Sequence, residues 1–120
     1  MKIIRLVVIG SVVCAALPAA AQINPFQGSR VGLTQQDVKL LSESIDRLNR
    51  SPNLSVGARD SWDNPNSRSR GENTVTQIFQ QNGLSCHKMR NTITVKGRQP
   101  ARVYNLDWCL GPDGSWKIHS

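Results

Sequence analysis

The chain has 120 residues, enough for one domain of ordinary size and no more. Three cysteines and two histidines exclude a module with several zinc ions and a miniprotein built on many disulfides. Because 15 Lys and Arg stand against 8 Asp and Glu, the net charge is +7, which favours anionic partners.

Residues 1–21 have the three-part pattern of a secretory signal peptide. Lys2 and Arg5 precede an uncharged apolar stretch over 6–17, and Ala19 and Ala21 suit the cleavage pocket of a signal peptidase. The stretch is too short to span a bilayer, which takes about 20 residues, so a retained membrane anchor is the weaker alternative. We expect cleavage after Ala21 and a periplasmic or secreted protein of a Gram-negative envelope.

The mature chain begins with an aperiodic segment, 22–33, which we predict to be an extended leader. Thr34 and Asp37 then form the pattern of a capping box, which marks a helix start. Apolar residues follow at helical spacing along one face, at Val38, Leu41, Ile45 and Leu48. Pro52 ends the pattern, so we predict an amphipathic helix of about four turns. Its apolar face should pack on a core, because its polar face is mixed in sign rather than basic.

After Pro52 the pattern changes to strands and tight turns. Asn82-Gly83 is typical of a type I′ hairpin turn, and Gly97-Arg98 fits a two-residue type II′ turn. Asp113-Gly114 marks a third turn. The predicted strands are Leu54–Asn64, Thr74–Gln81, Leu84–Val95, a strand after Gly97-Arg98, and Trp116–Ile118, with a loop over Asn64–Gly71.

The hairpin around Gly97-Arg98 has an internally consistent register. A two-residue loop there pairs Cys86 with Cys109, His87 with Trp108, Lys88 with Asp107, Met89 with Leu106 and Arg90 with Asn105. A slip by one residue would destroy all of these matches together. We therefore predict a structural disulfide between Cys86 and Cys109. This register makes the two cysteines a hydrogen-bonded pair, in which the Cβ atoms are farther apart. A bulge in the hairpin could shift the pair from this position.

These elements predict a single α+β domain over 34–120. One amphipathic helix packs on an antiparallel β-meander of about four to five strands, and one disulfide staples the sheet. We expect Trp108 and Trp116 on the side of the sheet that faces the helix, with His87 packed against Trp108. A thin core of this kind depends on its few aromatic side chains.

The second half of the chain carries several spaced motifs. Trp62-Asp63-Asn64-Pro65 leads to Gly71, two cysteines then flank a hairpin, and Asp113-Gly114-Ser115-Trp116 follows. This pattern resembles the bacterial outer-membrane surface antigen family of the rickettsial seventeen-kilodalton antigen type, over about Val56 to Ile118. The resemblance implies an envelope location, an antigenic protein and no established reaction.

Two departures limit that resemblance. Members of the family commonly begin with a lipidated cysteine and carry a glycine-zipper membrane segment, and neither is visible here. The likeness is therefore to the globular C-terminal domain of the family, and surface anchoring does not follow from it.

The chain offers no good catalytic set, and we predict that it is not an enzyme. His87 and His119 are the only histidines, and a disulfide would remove Cys86 as a nucleophile. No serine stands in a nucleophile-elbow motif, and the scattered carboxylates form no local pair. We likewise expect no metal and no cofactor.

The most informative functional feature is a basic stretch. No acidic residue lies between Asn73 and Leu106, where Lys88, Arg90, Lys96, Arg98 and Arg102 fall. Lys88, Arg90 and Lys96 share strand parity and are expected on one face of the hairpin, and Arg59, Arg68 and Arg70 extend this field from the neighbouring segment.

Such a face predicts an envelope-associated binding or structural protein that engages an envelope polyanion or an acidic protein. Peripheral contact with a membrane is compatible with it, whereas nucleic acid is not expected after export. The competing interpretation is a solvated sheet face whose Lys and Arg side chains discourage edge pairing.

Two further hypotheses stay open. The loop containing Trp62 and Asn64 could be the contact element of a dedicated inhibitor or accessory subunit of a periplasmic or envelope enzyme. A cleft between the helix and the sheet would instead suit a carrier of small molecules.

Overall fold

The computed structural model describes Phe26 and residues 31–119. These contain one helix, α1 (Gln35–Asn49), and five strands: β1 (Arg59–Asn64), β2 (Ser69–Gln81), β3 (Leu84–Thr94), β4 (Arg102–Leu110) and β5 (Trp116–His119). The strands form one antiparallel sheet in the order β1-β2-β3-β4-β5. The predicted fold class is confirmed: α1 packs on a five-stranded antiparallel meander. The predicted signal peptide lies outside the described residues.

Helix α1 starts at the predicted capping box. The Thr34 hydroxyl accepts a hydrogen bond from the Asp37 backbone N–H at 3.1 Å, and the Asp37 carboxylate accepts one from the Thr34 N–H at 2.9 Å. The helix ends at Asn49, before Pro52, because proline cannot continue the hydrogen-bond ladder. Within the part of the chain that is described, no helix is long and apolar enough to cross a membrane.

The core lies between α1 and the face of the sheet turned toward it, which we call the inner face. Leu41, Ile45 and Leu48 of α1 pack there with apolar side chains of the sheet, namely Trp62, Val75, Met89 and Ile93. Phe26 joins this core with 1% of its surface exposed, and its ring meets the Tyr104 ring edge-on at a centroid distance of 5.3 Å. The segment predicted as a leader therefore contributes a core residue.

A line of polar side chains fixes α1 on the inner face. The Ser44 hydroxyl donates to the Asp60 carboxylate at 2.6 Å and accepts from the Asn73 side-chain amide at 2.9 Å. Asn73 in turn accepts from the Asn91 amide at 2.6 Å. Ser44, Asn73 and Asn91 are fully buried, and these hydrogen bonds satisfy the Ser44 hydroxyl, the Asn73 amide and Asn91 Nδ2, which would otherwise be costly to bury.

Two predicted strand boundaries are wrong. The first strand begins at Arg59 rather than Leu54, because the chain turns through Asn53 and Gly57, both with positive φ. The second begins at Ser69 rather than Thr74, so the turn between them spans only 65–68. Pairing of Asn64 with Ser69 and of Trp62 with Gly71 draws this polar segment into the sheet, although its composition favours a loop.

The β3–β4 hairpin has the predicted register but not the predicted turn. Pairs run from Cys86–Cys109 to Ile93–Arg102, as expected. The tight turn, however, is Val95–Arg98, with positive φ at Lys96 and Gly97 and an Arg98 N–H bond to the Val95 carbonyl at 2.9 Å. The whole connection spans 95–101, and the Gln99–Pro100 peptide bond within it is cis.

The predicted disulfide, Cys86–Cys109, is present on the outer face of the sheet, away from α1. The Cα atoms of the two cysteines are 4.1 Å apart, the spacing of a non-hydrogen-bonded pair. The prediction that Cys86 and Cys109 form a hydrogen-bonded pair was wrong, because the connection at 95–101 is longer than the two-residue loop on which it was based. Both cysteines are buried.

Candidate functional site

The five basic residues of the predicted hairpin face occupy three different positions. Lys88 and Arg90 lie on the outer face of β3, and Arg102 is the first residue of β4. Lys96 and Arg98 lie in the connection between these strands. The shared face predicted for Lys96 is therefore wrong, because β3 ends at Thr94 and the backbone turns at Lys96 with a φ of 53°.

Ion pairs divide the basic side chains into two groups. Six of them have a carboxylate within 4.0 Å: Lys39–Glu43, Arg47–Asp60, Arg50–Asp46, Arg59–Glu72, Lys88–Asp107 and Lys117–Asp113. Among the described residues, no carboxylate lies within that distance of Arg68, Arg70, Arg90, Lys96 or Arg98. The charge of Lys88, by contrast, is offset by Asp107 at 3.9 Å.

Four of these five unpaired cations meet at one end of the sheet. The β1–β2 turn and the β3–β4 connection leave the sheet side by side there, since Arg70 pairs with Thr94. The Lys96 backbone N–H also donates to the Ser69 hydroxyl at 3.0 Å and holds the two segments together. We call this region the basic end and define it by Arg68, Arg70, Lys96, Arg98 and Arg102, all exposed.

Lys96 borders two open clefts at the basic end. One, of about 470 Å³, lies between the 95–102 segment and Val31–Gly32. The other, of about 600 Å³, lies between Thr34–Gln36 and the β1–β2 turn, and Arg68 also lines it. The N-terminus of α1 adds positive potential to this second cleft.

Few carboxylates oppose this charge. Near the basic end and the helix start beside it, the acidic residues described are Asp63 and Glu72, which are exposed, and Asp37, which is buried; Asp63 lies directly opposite Arg70 across β1 and β2. Arg68, Lys96 and Arg98 are thus exposed in the two adjacent connections, with no carboxylate of the described residues within 4.0 Å. Anions are drawn to such a surface in a salt-dependent way.

Asp37 clamps the β1–β2 turn onto the helix. Its Oδ1 accepts hydrogen bonds from the Asn64 side-chain amide at 2.7 Å and from the Ser67 hydroxyl at 2.6 Å. Burial alone would raise the pKa of Asp37, but hydrogen bonds from Ser67, Thr34 and Asn64 outweigh it and hold that pKa below its usual value. The carboxylate therefore stays ionised and the turn stays fixed.

The two predicted contact residues of this loop are both buried. Asn64 is 1% exposed and belongs to the Asp37 clamp, while Trp62 is 5% exposed and packs in the core. The surface of the loop is formed instead by Pro65, Asn66 and Arg68. Trp62 and Asn64 therefore support the loop through buried contacts and do not form its surface.

The indole of Trp62 also explains the glycine in the sequence pattern. A Cβ placed on Gly71 would lie 2.4 Å from Trp62 Nε1 and 2.9 Å from the Thr92 carbonyl oxygen. Only glycine leaves room for the indole across β2 at this point. The Trp-x-Asn-Pro motif and Gly71 therefore form one packing unit.

His87 occupies the inner face near the helix C-terminus. It pairs across the sheet with Trp108, as expected, but its ring stacks on Trp116 at a centroid distance of 4.2 Å. Its Nδ1 lies 2.8 Å from Asn49 Oδ1, and burial lowers the pKa of the ring. An uncharged, hydrogen-bonded histidine in this position stabilises the packing of α1 on β3.

Comparison with protein-family models, curated proteins and solved structures finds no match to this chain. The resemblance to the surface antigen family therefore stays a prediction. Among the described residues, no group of three or more His, Cys, Asp or Glu is arranged to hold a metal ion.

Proposed function

We propose that this chain is an exported, envelope-associated binding protein of surface-antigen type, which engages an acidic envelope component or protein through the basic β-hairpin and the turn beside it. The observation that carries the proposal is the segregation of charge. Cations elsewhere in the described chain mostly have a carboxylate partner, whereas Arg68, Lys96 and Arg98 of the basic end have no carboxylate of the described residues within 4.0 Å.

This segregation favours binding over the interpretation of a merely solvated sheet face. Lysine and arginine that only keep a sheet soluble would be expected along its strands. On the outer face, however, Arg59 and Lys88 are paired with Glu72 and Asp107. In the middle of the outer face, Arg90 is the cation without a carboxylate within 4.0 Å among the described residues, and it lies beside the neutral side chains of Thr74 and Asn105.

A retention experiment tests the proposal. Tagged, oxidised protein (residues 22–120) is incubated with envelope extract at low and at high salt, as wild type and with Lys96→Glu and Arg98→Glu combined. The control combines Lys39→Glu in α1 and Arg50→Glu at its C-cap, which changes the net charge equally. We expect the wild type to retain acidic envelope material at low salt and to release it at high salt. The Lys96→Glu and Arg98→Glu variant should not retain this material, whereas the control should retain it. Equal retention by both variants would contradict a localised site.

The second candidate is a dedicated inhibitor or accessory subunit of an envelope enzyme. The observation in its favour is the Asp37 clamp, because a loop held in one conformation loses little entropy on binding. A single protein retained at high salt, and lost with Pro65→Glu, would support this candidate. The contact would then be the surface of the β1–β2 turn rather than the hairpin.

A further inference from the structure

We propose that the acidic component engaged by the basic end is the phosphate-bearing surface of a lipid membrane, and that the domain docks on it with its strands end-on. This inference rests on the proposed function and specifies its ligand. Three observations carry it: the projection of the cations, their chemistry and the shape of the clefts between them.

Three cations of the basic end, Arg68, Lys96 and Arg98, lie in the two tips beyond the end of the sheet. Residues 96–100 of the β3–β4 connection are all exposed, as are Pro65, Asn66 and Arg68 of the β1–β2 turn. Strands β2 and β3 are neighbours, so these two tips lie next to one another. A plane laid across both tips meets basic side chains from two separate segments.

The tips carry no acidic side chain: neither 65–68 nor 95–101 contains Asp or Glu. Asp63 lies within β1, before the turn, and Asp37 is buried beneath it. A planar anionic layer would therefore meet attraction at both tips. Pro65 and Pro100 add exposed apolar surface that suits the boundary between headgroups and water.

The type of cation fits phosphate. Four of the five basic residues are arginine, whose planar guanidinium binds phosphate oxygens in pairs. The clefts beside Lys96 are open at the surface, so neither encloses a small ligand. One small anion would not reach Arg68 of the one tip and Lys96 and Arg98 of the other together, whereas a lipid surface presents a phosphate to each of them.

Binding to vesicles tests this inference. Oxidised protein (residues 22–120) is sedimented with vesicles of equal parts phosphatidylglycerol and phosphatidylcholine, and with vesicles of phosphatidylcholine alone. We expect salt-sensitive binding to the anionic vesicles only. Each cation near an anionic leaflet raises partitioning roughly fivefold, so Arg68→Gln, Lys96→Gln and Arg98→Gln combined should lower it roughly a hundredfold.

The matched control combines Lys39→Gln, Arg50→Gln and Lys117→Gln. It removes three positive charges that have carboxylate partners elsewhere in the domain, and we expect near wild-type partitioning. Thermal melts followed by circular dichroism confirm that both variants are folded. An equal loss in the control would overturn end-on docking.

Two other outcomes separate this inference from the proposed function. If anionic vesicles fail to bind the protein while acidic envelope proteins are still retained, the lipid ligand is wrong and the proposed function stands. If neither vesicles nor acidic envelope material binds, both are wrong.

Discussion

Asp37 accepts hydrogen bonds from the backbone of Thr34 and from the side chains of Asn64 and Ser67, so one carboxylate joins the helix start to the β1–β2 turn. Its capping role is visible in the sequence because Thr34 is three positions away. Its role as a clamp is not, since Asn64 and Ser67 lie far along the chain and no local pattern links them.

Replacing this carboxylate should destabilise the protein. Asp37→Ala leaves the N–H of Thr34, the amide of Asn64 and the hydroxyl of Ser67 without their acceptor, and we expect a loss of about 3 kcal/mol in the free energy of unfolding. Urea denaturation measures it. Asp46→Ala, which removes only an exposed i,i+4 ion pair with Arg50, should cost less than about 0.5 kcal/mol. Similar losses in both variants would contradict the clamp.

Gly71→Ala should also destabilise the domain, because the new methyl group would overlap the Trp62 indole. We expect a loss of about 1–3 kcal/mol, typical of overpacking in a core. A double-mutant cycle with Trp62→Leu checks the cause: the smaller side chain should relieve most of the penalty of Gly71→Ala. An unchanged penalty would place the strain elsewhere, for example at the Thr92 carbonyl.

His87 predicts a pH dependence of stability. Burial lowers the pKa of its ring in the folded protein, so the unfolded chain binds this proton more readily. The contribution of His87 to the free energy of unfolding should therefore fall as the pH drops below about 6.5, the ordinary pKa of histidine, and level off below the folded pKa. His87→Gln should abolish this slope. A slope that persists unchanged in His87→Gln would contradict this assignment.

At the scale of elements, the sequence predicts most of the fold. The capping box places α1, and the complementary pairs across β3 and β4 give the register that the structure shows. The start of β2 could not be predicted, because Ser69 and Arg70 become a strand only through pairing with β1. The turn at Val95–Arg98 was missed because a lysine occupies the positive-φ position where glycine or asparagine is expected.

For the candidate site, too, some features could be predicted from the sequence and others depend on contacts between distant segments. Composition alone identifies the basic stretch, and strand parity correctly places Lys88 and Arg90 on one face. Which cations remain unpaired depends on contacts between segments, such as Lys88 with Asp107 and Arg59 with Glu72. The basic end therefore emerges only when the two tips are brought side by side.

The Cys86–Cys109 disulfide cross-links the two strands of the β3–β4 hairpin. Cys86→Ala and Cys109→Ala combined should lower the free energy of unfolding by about 3 kcal/mol, because the unfolded chain is no longer constrained by a closed loop. Urea denaturation of the variant and of the oxidised wild type measures this. Reduction of the wild type should reproduce the loss, and a variant as stable as the oxidised protein would show that the bridge adds nothing.

At the scale of the whole molecule, Phe26 ties the start of the described chain to one of its last strands. Phe26→Ala should cost about 3–5 kcal/mol, because it empties a site that is 1% exposed and removes an edge-on contact with Tyr104. Thermal unfolding measures it. Val56→Ala, at a side chain 61% exposed, serves as the control and should change stability by less than about 0.5 kcal/mol. A small loss at Phe26 would show that the ring contributes little to the core.

The contact between Phe26 and Tyr104 has a consequence for biogenesis. A chain that crosses a membrane N-terminus first delivers Phe26 early, but the ring has no complete site until β4 follows, and the same holds for Cys86 and its partner Cys109. Contacts so distant in sequence close slowly, because the entropy of a long loop is lost before they form. If the chain is exported as we propose, its core can be complete only after β4 has crossed the membrane, because the site of the Phe26 ring includes Tyr104 of that strand.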